Sequence, residues 1–172
     1  SAADGAGAIL NGGRGFVVGN STFANNTATS KGGAIYNYGI GFVVGNSTFA
    51  NNTAEDAGAV YNEGDNSVVG NSTFVNNTAT SIGGAICNVN DLTVENSKFV
   101  NNTPQAIHNS KELHLGIETF TDLQNAIDLV DGILTLDSDI AMTDDEAAGF
   151  VGGVAINKDI VIDGKGHTID AK

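Results

Sequence analysis

Residues 31–53 read KGGAIYNYGIGFVVGNSTFANNT, and this stretch decides the fold. It holds three short segments of strand-like alternation, around Ile35, Val44 and Phe49, separated by Gly, Asn and Ser-Thr clusters that favour bends. The chain repeats the stretch with a spacing of 25 or 26 residues. Three columns of equivalent residues show this spacing, and in all three the first interval is 26 residues and the second is 25. The columns are Ile9, Ile35, Val60 and Ile86; Phe23, Phe49, Phe74 and Phe99; Asn20, Asn46, Asn71 and Asn96.

Three short strands and three bends in each repeat are typical of one rung of a right-handed parallel β-helix, an all-β solenoid. Equivalent side chains then stack about 4.8 Å apart, so the Ile and Phe columns predict the core. We expect the Asn20 column, together with pairs such as Asn25-Asn26, to form inward ladders of amide hydrogen bonds. Ser67 interrupts an inward row of apolar residues, so we expect the core to be less stable at this position. A leucine-rich solenoid is disfavoured, because the core positions are not leucines and no rung carries a helix.

The net charge disfavours two classes of partner. Seven Lys and Arg residues against 20 Asp and Glu residues give a net charge of −13. Nucleic acids and anionic membrane surfaces both require a basic patch, so we expect neither as a partner. No apolar run is long enough to cross a bilayer, which predicts no direct membrane insertion. The chain has no initiator Met and no signal peptide, so we expect a fragment or a processed piece.

A second region follows the regular repeats. We predict rungs over residues 1–117, and over 118–172 a helix at about 121–131 followed by divergent rung strands. Thr121 and Gln124 have the spacing of a capping box, and Leu123, Ala126, Ile127 and Val130 have helical spacing. The helix either seals an end of the solenoid or lies on its side. The later strands are predicted at 133–136, 140–142, 154–157, 160–163 and 167–170.

Two motifs carry a resemblance to a known family. GGAI occurs at 32–35 and 83–86, and FxxN units begin at each residue of the Phe23 column. These motifs resemble the repeats of the polymorphic outer membrane protein type. The NSTFxNNTA wording and the segment from TFTDLQNAI to HTIDA more specifically resemble adhesin-like surface proteins of methanogenic archaea. The resemblance implies a pectin-lyase-like β-helix, exported to the cell surface, that adheres to glycans or to other cells.

The order of the segments differs from that family, in which the TFTDLQNAI helix usually precedes the GGAI rungs. The 16 residues after Ile156 and the first nine of a following copy make 25, and the same count from Ile169 to Phe23 gives 26. We therefore expect copies to continue head to tail, as a tandem repeat or a filament, with Ile9, Ile156, Ile162 and Ile169 at the junction. The alternative is an arbitrary boundary, in which case the count reflects native order only.

Catalysis is not expected, although pectin-lyase-like folds also include lyases and hydrolases. Lyases place Arg or Lys beside clustered carboxylates, and hydrolases need paired carboxylates in one groove. This chain has one arginine, Arg14, and scattered carboxylates. Cys87 is the single cysteine, in an outward row with Tyr36 and Tyr61, and no base is placed beside it. A carbohydrate-binding or carbohydrate-active β-helix is the alternative function.

The acidic residues and the asparagines are candidates for a ligand and for a modification, respectively. No cofactor is predicted; Asp137, Asp139, Asp144 and Asp145 are candidate calcium ligands, because calcium prefers several carboxylate oxygens. N-x-S/T sequons predict glycan acceptors at Asn25, Asn51, Asn76 and Asn101. Asn20, Asn46 and Asn71 also begin sequons, but an inward position would leave no room for a glycan. An ice-binding surface is disfavoured, because Lys98 ends the outward Ser-Thr row.

Overall fold

The computed structural model describes residues 5–171. They wind into a β-solenoid of about six rungs with about 25 residues in each, and every strand pairing is parallel. This confirms the predicted fold class. Successive rungs are aligned residue on residue, so that each side-chain position of the repeat forms a column along the solenoid.

Three parallel sheets form the faces of the solenoid. The first face contains β1 (Ile9–Asn11), β4 (Ile35–Asn37), β8 (Val60–Asn62), β12 (Ile86–Asn88), β15 (Ile107–Asn109), β17 (Val130–Thr135) and β19 (Ile160–Asp163). The second face contains β2 (Val17–Gly19), β5 (Val43–Gly45), β9 (Ser67–Gly70), β13 (Leu92–Glu95) and β16 (Leu113–His114). The third face contains β3 (Thr22–Ala24), β6 (Thr48–Ala50), β10 (Thr73–Val75) and β14 (Lys98–Val100). Two short pairs complete the strands: β7 (Thr53–Ala54) with β11 (Thr78–Ala79), and β18 (Ile140–Ala141) with β20 (Ile169–Asp170).

The core consists of the stacked apolar columns. On the first face Ile9, Ile35, Val60 and Ile86 pair in register, and the column continues to Ile107 and Val130. On the third face the rings of Phe23, Phe49, Phe74 and Phe99 are nearly parallel, with centroids 4.7 to 4.9 Å apart. Each fully buried ring or branched side chain contributes about 1.5–3 kcal/mol relative to an exposed one.

The glycine pair of the GGAI motif allows neighbouring rungs to approach closely. Gly32 has φ +60°, a conformation that L side chains rarely adopt. A Cβ on Gly33 would lie 2.0 Å from the carbonyl oxygen of Gly58 in the next rung. Glycine is therefore required in this motif, because the backbones of neighbouring rungs pack directly against each other at this corner.

The helix begins and ends earlier than predicted. It is α1 (Phe120–Leu129), and Thr119 is its N-cap, with a capping box completed by Asp122. The prediction of Thr121 as N-cap was wrong, because Phe120 is buried in the core as the first helical residue. The predicted last turn instead begins β17 at Val130, whose backbone is extended.

The helix lies where the fifth rung would have its third-face strand. It follows β16 of the second face and precedes β17 of the first face. The first face continues beyond it, from β15 to β17 and then to β19. The helix therefore lies beside an unbroken first sheet. The division of the chain at residue 117 stays a prediction, and the first face runs across it.

The predicted strand at 154–157 was wrong. The segment has no strand pairing, and its backbone polar groups bind α1 instead. The N–H of Ala155 donates to Oε1 of Gln124 at 2.7 Å, and Nε2 of Gln124 donates to the Ala155 carbonyl at 3.1 Å. A side-chain amide thus takes the place of a neighbouring strand.

Candidate functional site

A buried column of asparagines runs through the first face. In the first four members, the side-chain Nδ2 donates to Oδ1 of the counterpart in the next rung, at 2.6 to 2.8 Å. The same Nδ2 atoms also donate to carbonyls two residues later, as Asn37 does to Gly39 at 2.9 Å. The column therefore links rungs and stabilises the bend after each strand. Its members are Asn11, Asn37, Asn62, Asn88 and Asn109.

This first ladder ends at the sixth rung. Gly132 pairs with Asn109 in register, at a position where a Cβ would lie 2.0 Å from the Asn109 carbonyl oxygen. Nδ2 of Asn109 instead donates to the carbonyl of Ile133 at 2.6 Å. The sequence prediction missed the whole column, although Asn11, Asn37 and Asn62 each follow the inward Ile or Val by two residues and so share its face.

A second ladder occupies the bend after the third face. Asn26, Asn52, Asn77 and Asn102 are joined by Nδ2 to Oδ1 hydrogen bonds of 2.9 Å. The backbone N–H of Asn26 also donates to Oδ1 of Asn52, and the next two rungs repeat this contact. These are the second asparagines of the NNT turns, so the expectation of an amide ladder is met here.

The asparagines of the Asn20 column do not form a ladder, and their prediction as inward residues was wrong. Their side chains are exposed, and their φ angles are +46° to +49°. Asparagine tolerates this left-handed conformation better than other non-glycine residues, which explains the repeated residue without an inward amide. The column contains Asn20, Asn46, Asn71 and Asn96.

Serine fills the inward position that those asparagines were expected to take. The backbone N–H of Ser47 donates to Oγ of Ser72 at 3.2 Å, and Oγ of Ser47 donates to the Gly45 carbonyl at 2.8 Å. Ser21, Ser72 and Ser97 continue this pattern. Because Ser47 and Ser72 are buried, the serines do not belong to the outward Ser-Thr row that the sequence suggested.

Ser67 is buried, but its hydroxyl makes hydrogen bonds, so it is not the weak position of the core that the sequence suggested. Its Oγ lies 3.1 Å from Oδ1 of Asn62 and 3.2 Å from the Gly64 carbonyl. Asn66, with φ +54°, precedes it, at the position that Gly41 has in the preceding rung. Ser67 thus connects the second face to the first asparagine ladder.

The four predicted glycan acceptors lie at exposed bends. Asn25, Asn51, Asn76 and Asn101 have φ angles of +52° to +57°. Exposure also applies to Asn20, Asn46 and Asn71, so burial no longer separates the two sets. Glycosylation stays a prediction for the first set.

A polar and aromatic cluster lies on the outer surface of the first face. Nζ of Lys31 is 2.6 Å from Oε1 of Glu63, and it lies 4.4 Å from the Tyr61 ring centroid and 5.1 Å from that of Tyr36. The Tyr36 hydroxyl donates to Oε2 of Glu63 at 2.8 Å. We call Lys31, Tyr36, Tyr61 and Glu63 the tyrosine cluster.

The tyrosine cluster shifts the pKa values of its members. Burial favours the neutral form of Lys31, but the hydrogen bond and charge of Glu63 outweigh it, so the pKa of Lys31 is raised. Burial likewise opposes ionisation of Glu63, yet the hydrogen bonds from Lys31 and Tyr36 lower its pKa. Both residues are therefore charged at neutral pH.

Cys87 lies directly beside Tyr61 in the outward row. The residue is 1% exposed, and burial, followed by the negative charge of Asp56, raises the pKa of Cys87 to about 12. The thiolate is the nucleophilic form, so this thiol is unreactive at neutral pH.

The four candidate calcium ligands are not brought together. Asp137 pairs with His114, and Asp139 accepts hydrogen bonds from His167 at 3.3 Å and from the Thr168 N–H at 2.8 Å. Asp144 and Asp145 lie in the following turn. Within residues 5–171, no group of three or more His, Cys, Asp or Glu side chains has an arrangement that holds a metal ion. The arrangement therefore gives no support to calcium binding by these four residues, which stays a prediction.

Glu146 binds the N-terminus of α1 from this same turn. Its Oε1 accepts from the N–H and hydroxyl of Thr121, both at 2.7 Å, and its Oε2 accepts from Thr143. These hydrogen bonds, those from Thr121 first, lower the pKa of Glu146 to about 2. Thr121 thus contributes to capping as a donor to Glu146.

The predicted junction residues lie at both ends of the solenoid. Ile9 is half-buried in β1, Ile162 is half-buried in β19, and Ile169 is exposed in β20. Ile156 is also exposed, but it lies in the segment bound to Gln124 and not in a strand. The junction itself stays a prediction.

Comparison with known proteins gives one similarity. Residues 20–38 and 71–89 match the family model described as the Chlamydia polymorphic membrane protein repeat. Both matches begin at an exposed asparagine, include a ring of the Phe stack and end just after a first-face strand. No curated protein and no solved structure matches the chain. In the described part of the chain, no helix has the length and apolar character needed to span a membrane.

Proposed function

We propose that the chain is a non-catalytic, structural and adhesive module of an extracellular cell-surface protein or fibre. The observation that carries this proposal is the combination of continuous side-chain columns with two matches to a surface-protein repeat. Ladders that join successive rungs stiffen the solenoid, and the outward columns then repeat one surface along it. The sequence of residues 119–171 supports the narrower assignment to adhesin-like proteins of methanogenic archaea.

The absence of catalysis is part of this proposal. The reactive groups that the chain offers are held in structural contacts: Cys87 is buried with a protonated thiol, and His108 and His114 pair with the carboxylates of Asp131 and Asp137. A screen against acidic and neutral polysaccharides tests this. Product formation that substitution of one of the chain's carboxylates abolishes would overturn it, because the activity of a contaminant would be unaffected by that substitution.

Head-to-tail stacking of copies is the second part of the proposal. The first members of three apolar columns are half-buried: Ile9, Phe16 and Phe23. The next members of these columns, such as Ile35 and Phe49, are fully buried. At the opposite end, β19 presents half-buried Ile160 and Ile162 on the last strand of the first face. Both ends therefore present incomplete core layers, which a second copy of the same rung geometry would cover.

The stacking register follows from the apolar residues at the two edges. If Ile9 lies over Ile160 of a second copy, then outward Leu10 lies over outward Val161, which are 56% and 59% exposed. This pairing buries both exposed side chains and adds a parallel strand to the first face. Leu10→Lys should prevent this pairing, because a charge would be buried at the junction.

Sedimentation velocity tests the proposed assembly. We expect concentration-dependent elongated oligomers of the unaltered protein, and at least about tenfold weaker association for Leu10→Lys. Val151→Lys is the matched control, since Val151 is 89% exposed and lies outside the strands. Association of the unaltered protein that is equal in both variants would contradict this register. Binding of coated beads to cells then tests adhesion.

Carbohydrate binding at the tyrosine cluster is a second candidate function. Tyr38 packs edge-on against Tyr36, with centroids 5.7 Å apart, and is 51% exposed. An exposed ring next to the tyrosine cluster, which holds a Lys and a Glu, is suited to stacking on a sugar while the cluster bonds its hydroxyls. Tyr38→Ala should remove binding to a glycan array, whereas Ile40→Ala, a neighbouring exposed position, should not. Equal binding by both variants would contradict this site.

A further inference from the structure

The phenylalanine stack ends at a cleft. The ring of Phe99 lies 4.9 Å from that of Phe74 and nearly parallel to it. Phe49 and Phe74 are fully buried between two rings each, but Phe99 is only half-buried. A cleft with a volume of about 170 Å³ borders Phe99, on the side where a fifth ring would continue the stack.

The cleft exists because a helix replaces a strand. Strands of neighbouring rungs lie about 4.8 Å apart, whereas a helix with its side chains is about 10–12 Å wide. The axis of α1 therefore cannot lie as close to β14 as a strand would. Ala126, a small residue, faces the gap from the helix. The apolar lining consists of Val94, Phe99, Leu115, Ile117, Ala126 and Leu129.

The rim of the cleft is polar. Asn96 and Asn125 are exposed on opposite sides, from the bend before β14 and from α1. The other two polar residues of the rim already have structural hydrogen bonds: Ser97 donates to the Glu95 carbonyl, and Asp122 accepts from Thr119. The two asparagine amides are therefore the side chains placed to bind a polar group of a ligand.

We propose that this cleft binds a small planar aromatic molecule, which stacks on Phe99 as the fifth ring of the column. An engineered cavity of roughly 150 Å³ lined by Leu, Ile and Phe holds benzene in another protein, so the volume fits one ring system. The existing rings repeat at 4.7 to 4.9 Å, a separation at which stacked aromatic pairs attract. One polar substituent on the ring would reach the asparagines of the rim. This site does not depend on the proposed adhesive function.

Indole is a suitable probe, because the chain has no tryptophan. Its fluorescence, excited at wavelengths that tyrosine does not absorb, reports binding directly. We expect a saturable shift of indole emission with the unaltered protein. Phe99→Leu should weaken binding about tenfold, since it removes the stacking face. Ala126→Leu should abolish binding by filling the cleft from the helix side.

Phe23→Leu is the matched control. Phe23 is the other terminal ring of the same stack, also half-buried and 4.9 Å from its single neighbour, but far from the cleft. We expect binding by this variant to remain within about twofold of the unaltered protein. Circular dichroism and thermal unfolding establish that each variant is folded.

Cyclohexanol separates aromatic stacking from simple filling of an apolar space. We expect it to compete with indole at least about tenfold more weakly than phenol does. Equal competition by cyclohexanol and phenol would overturn the aromatic specificity. Equal losses in Phe99→Leu and Phe23→Leu, or no saturable binding by the folded unaltered protein, would overturn the site.

Discussion

Asn37 donates its side-chain Nδ2 to Oδ1 of Asn62, 2.7 Å away in the next rung, and both side chains are buried. Asn62 in turn donates to Asn88 at 2.8 Å. Each inner amide of the column, Asn37, Asn62 or Asn88, is therefore an acceptor for one neighbour and a donor to the other. Removal of a single member leaves unmet polar groups in both adjacent rungs.

Asn62→Ala should strongly destabilise the solenoid. The substitution leaves the donor of Asn37 and the acceptor of Asn88 without their partners, and it also removes the acceptor for Ser67. Each buried unmet group costs about 1–3 kcal/mol, so we expect the free energy of unfolding to fall by about 3 kcal/mol. Urea denaturation measures this. A loss below about 0.5 kcal/mol would contradict an energetic role for the ladder.

Substitution of Asn46 should affect stability through the backbone and not through a lost ladder bond, because Asn46 is exposed with φ +49°. Asn46→Gly should leave the free energy of unfolding nearly unchanged, since glycine adopts this conformation freely. Asn46→Ala should lower it by about 1 kcal/mol through backbone strain. The pair of variants separates a conformational role from an inward hydrogen bond. A large loss with glycine would show that the Asn46 side chain itself is needed.

The sequence predicted the columns better than it predicted the asparagines. Apolar residues such as Ile35 and Phe49 alternate with polar ones, and only one face of a strand can be buried, so their orientation followed. An asparagine at a bend suits either an inward amide or a left-handed exposed turn, and spacing alone does not separate them. Asn20 and Asn26 repeat equally well in the sequence, but only Asn26 is a ladder residue.

The helix boundary shows the same limit. Thr119 and Thr121 both precede apolar residues with helical spacing, and each has an acidic or amide residue three positions later. Burial of Phe120 decides between them, and burial depends on packing against distant rungs. The contact of Glu146 with Thr121 joins residues 25 positions apart, so no local pattern could have predicted it.

Glu146 should make the docking of α1 dependent on pH. Its folded pKa of about 2 lies below the ordinary value of 4.5, so its stabilising contribution is fully present above pH 4.5. The contribution decreases as the pH falls below that value and is lost as the pH passes through about 2. We expect Glu146→Gln to reduce stability at pH 6 and to reduce its decline between pH 4.5 and 2. Urea denaturation across this range, with Asp145→Asn as the control, measures the difference. Identical pH profiles for Glu146→Gln and the unaltered protein would contradict this role.

Lys31 and Glu63 should be coupled energetically. Both side chains are 30% exposed, and Lys31 also lies over two tyrosine rings. A double-mutant cycle with Lys31→Met and Glu63→Gln should give a coupling energy of about 1 kcal/mol. The pair Lys165 and Glu112 has the same 2.6 Å separation but is more exposed, and its coupling should be smaller. Equal couplings would show that the tyrosine cluster adds nothing to the ion pair.

Disulfide trapping between chains that each carry one introduced cysteine tests the central claim that rungs continue from one copy to the next. Chains with Leu10→Cys and Val161→Cys are mixed and oxidised; Cys87 does not compete, because it is buried with a pKa of about 12. Neighbouring strands lie within the Cα separation that a disulfide spans, about 4.4–6.8 Å. We predict mixed dimers between these two chains, and few with Val151→Cys in place of Val161→Cys. Predominant Leu10→Cys homodimers, or equal trapping with the Val151 control, would contradict head-to-tail stacking.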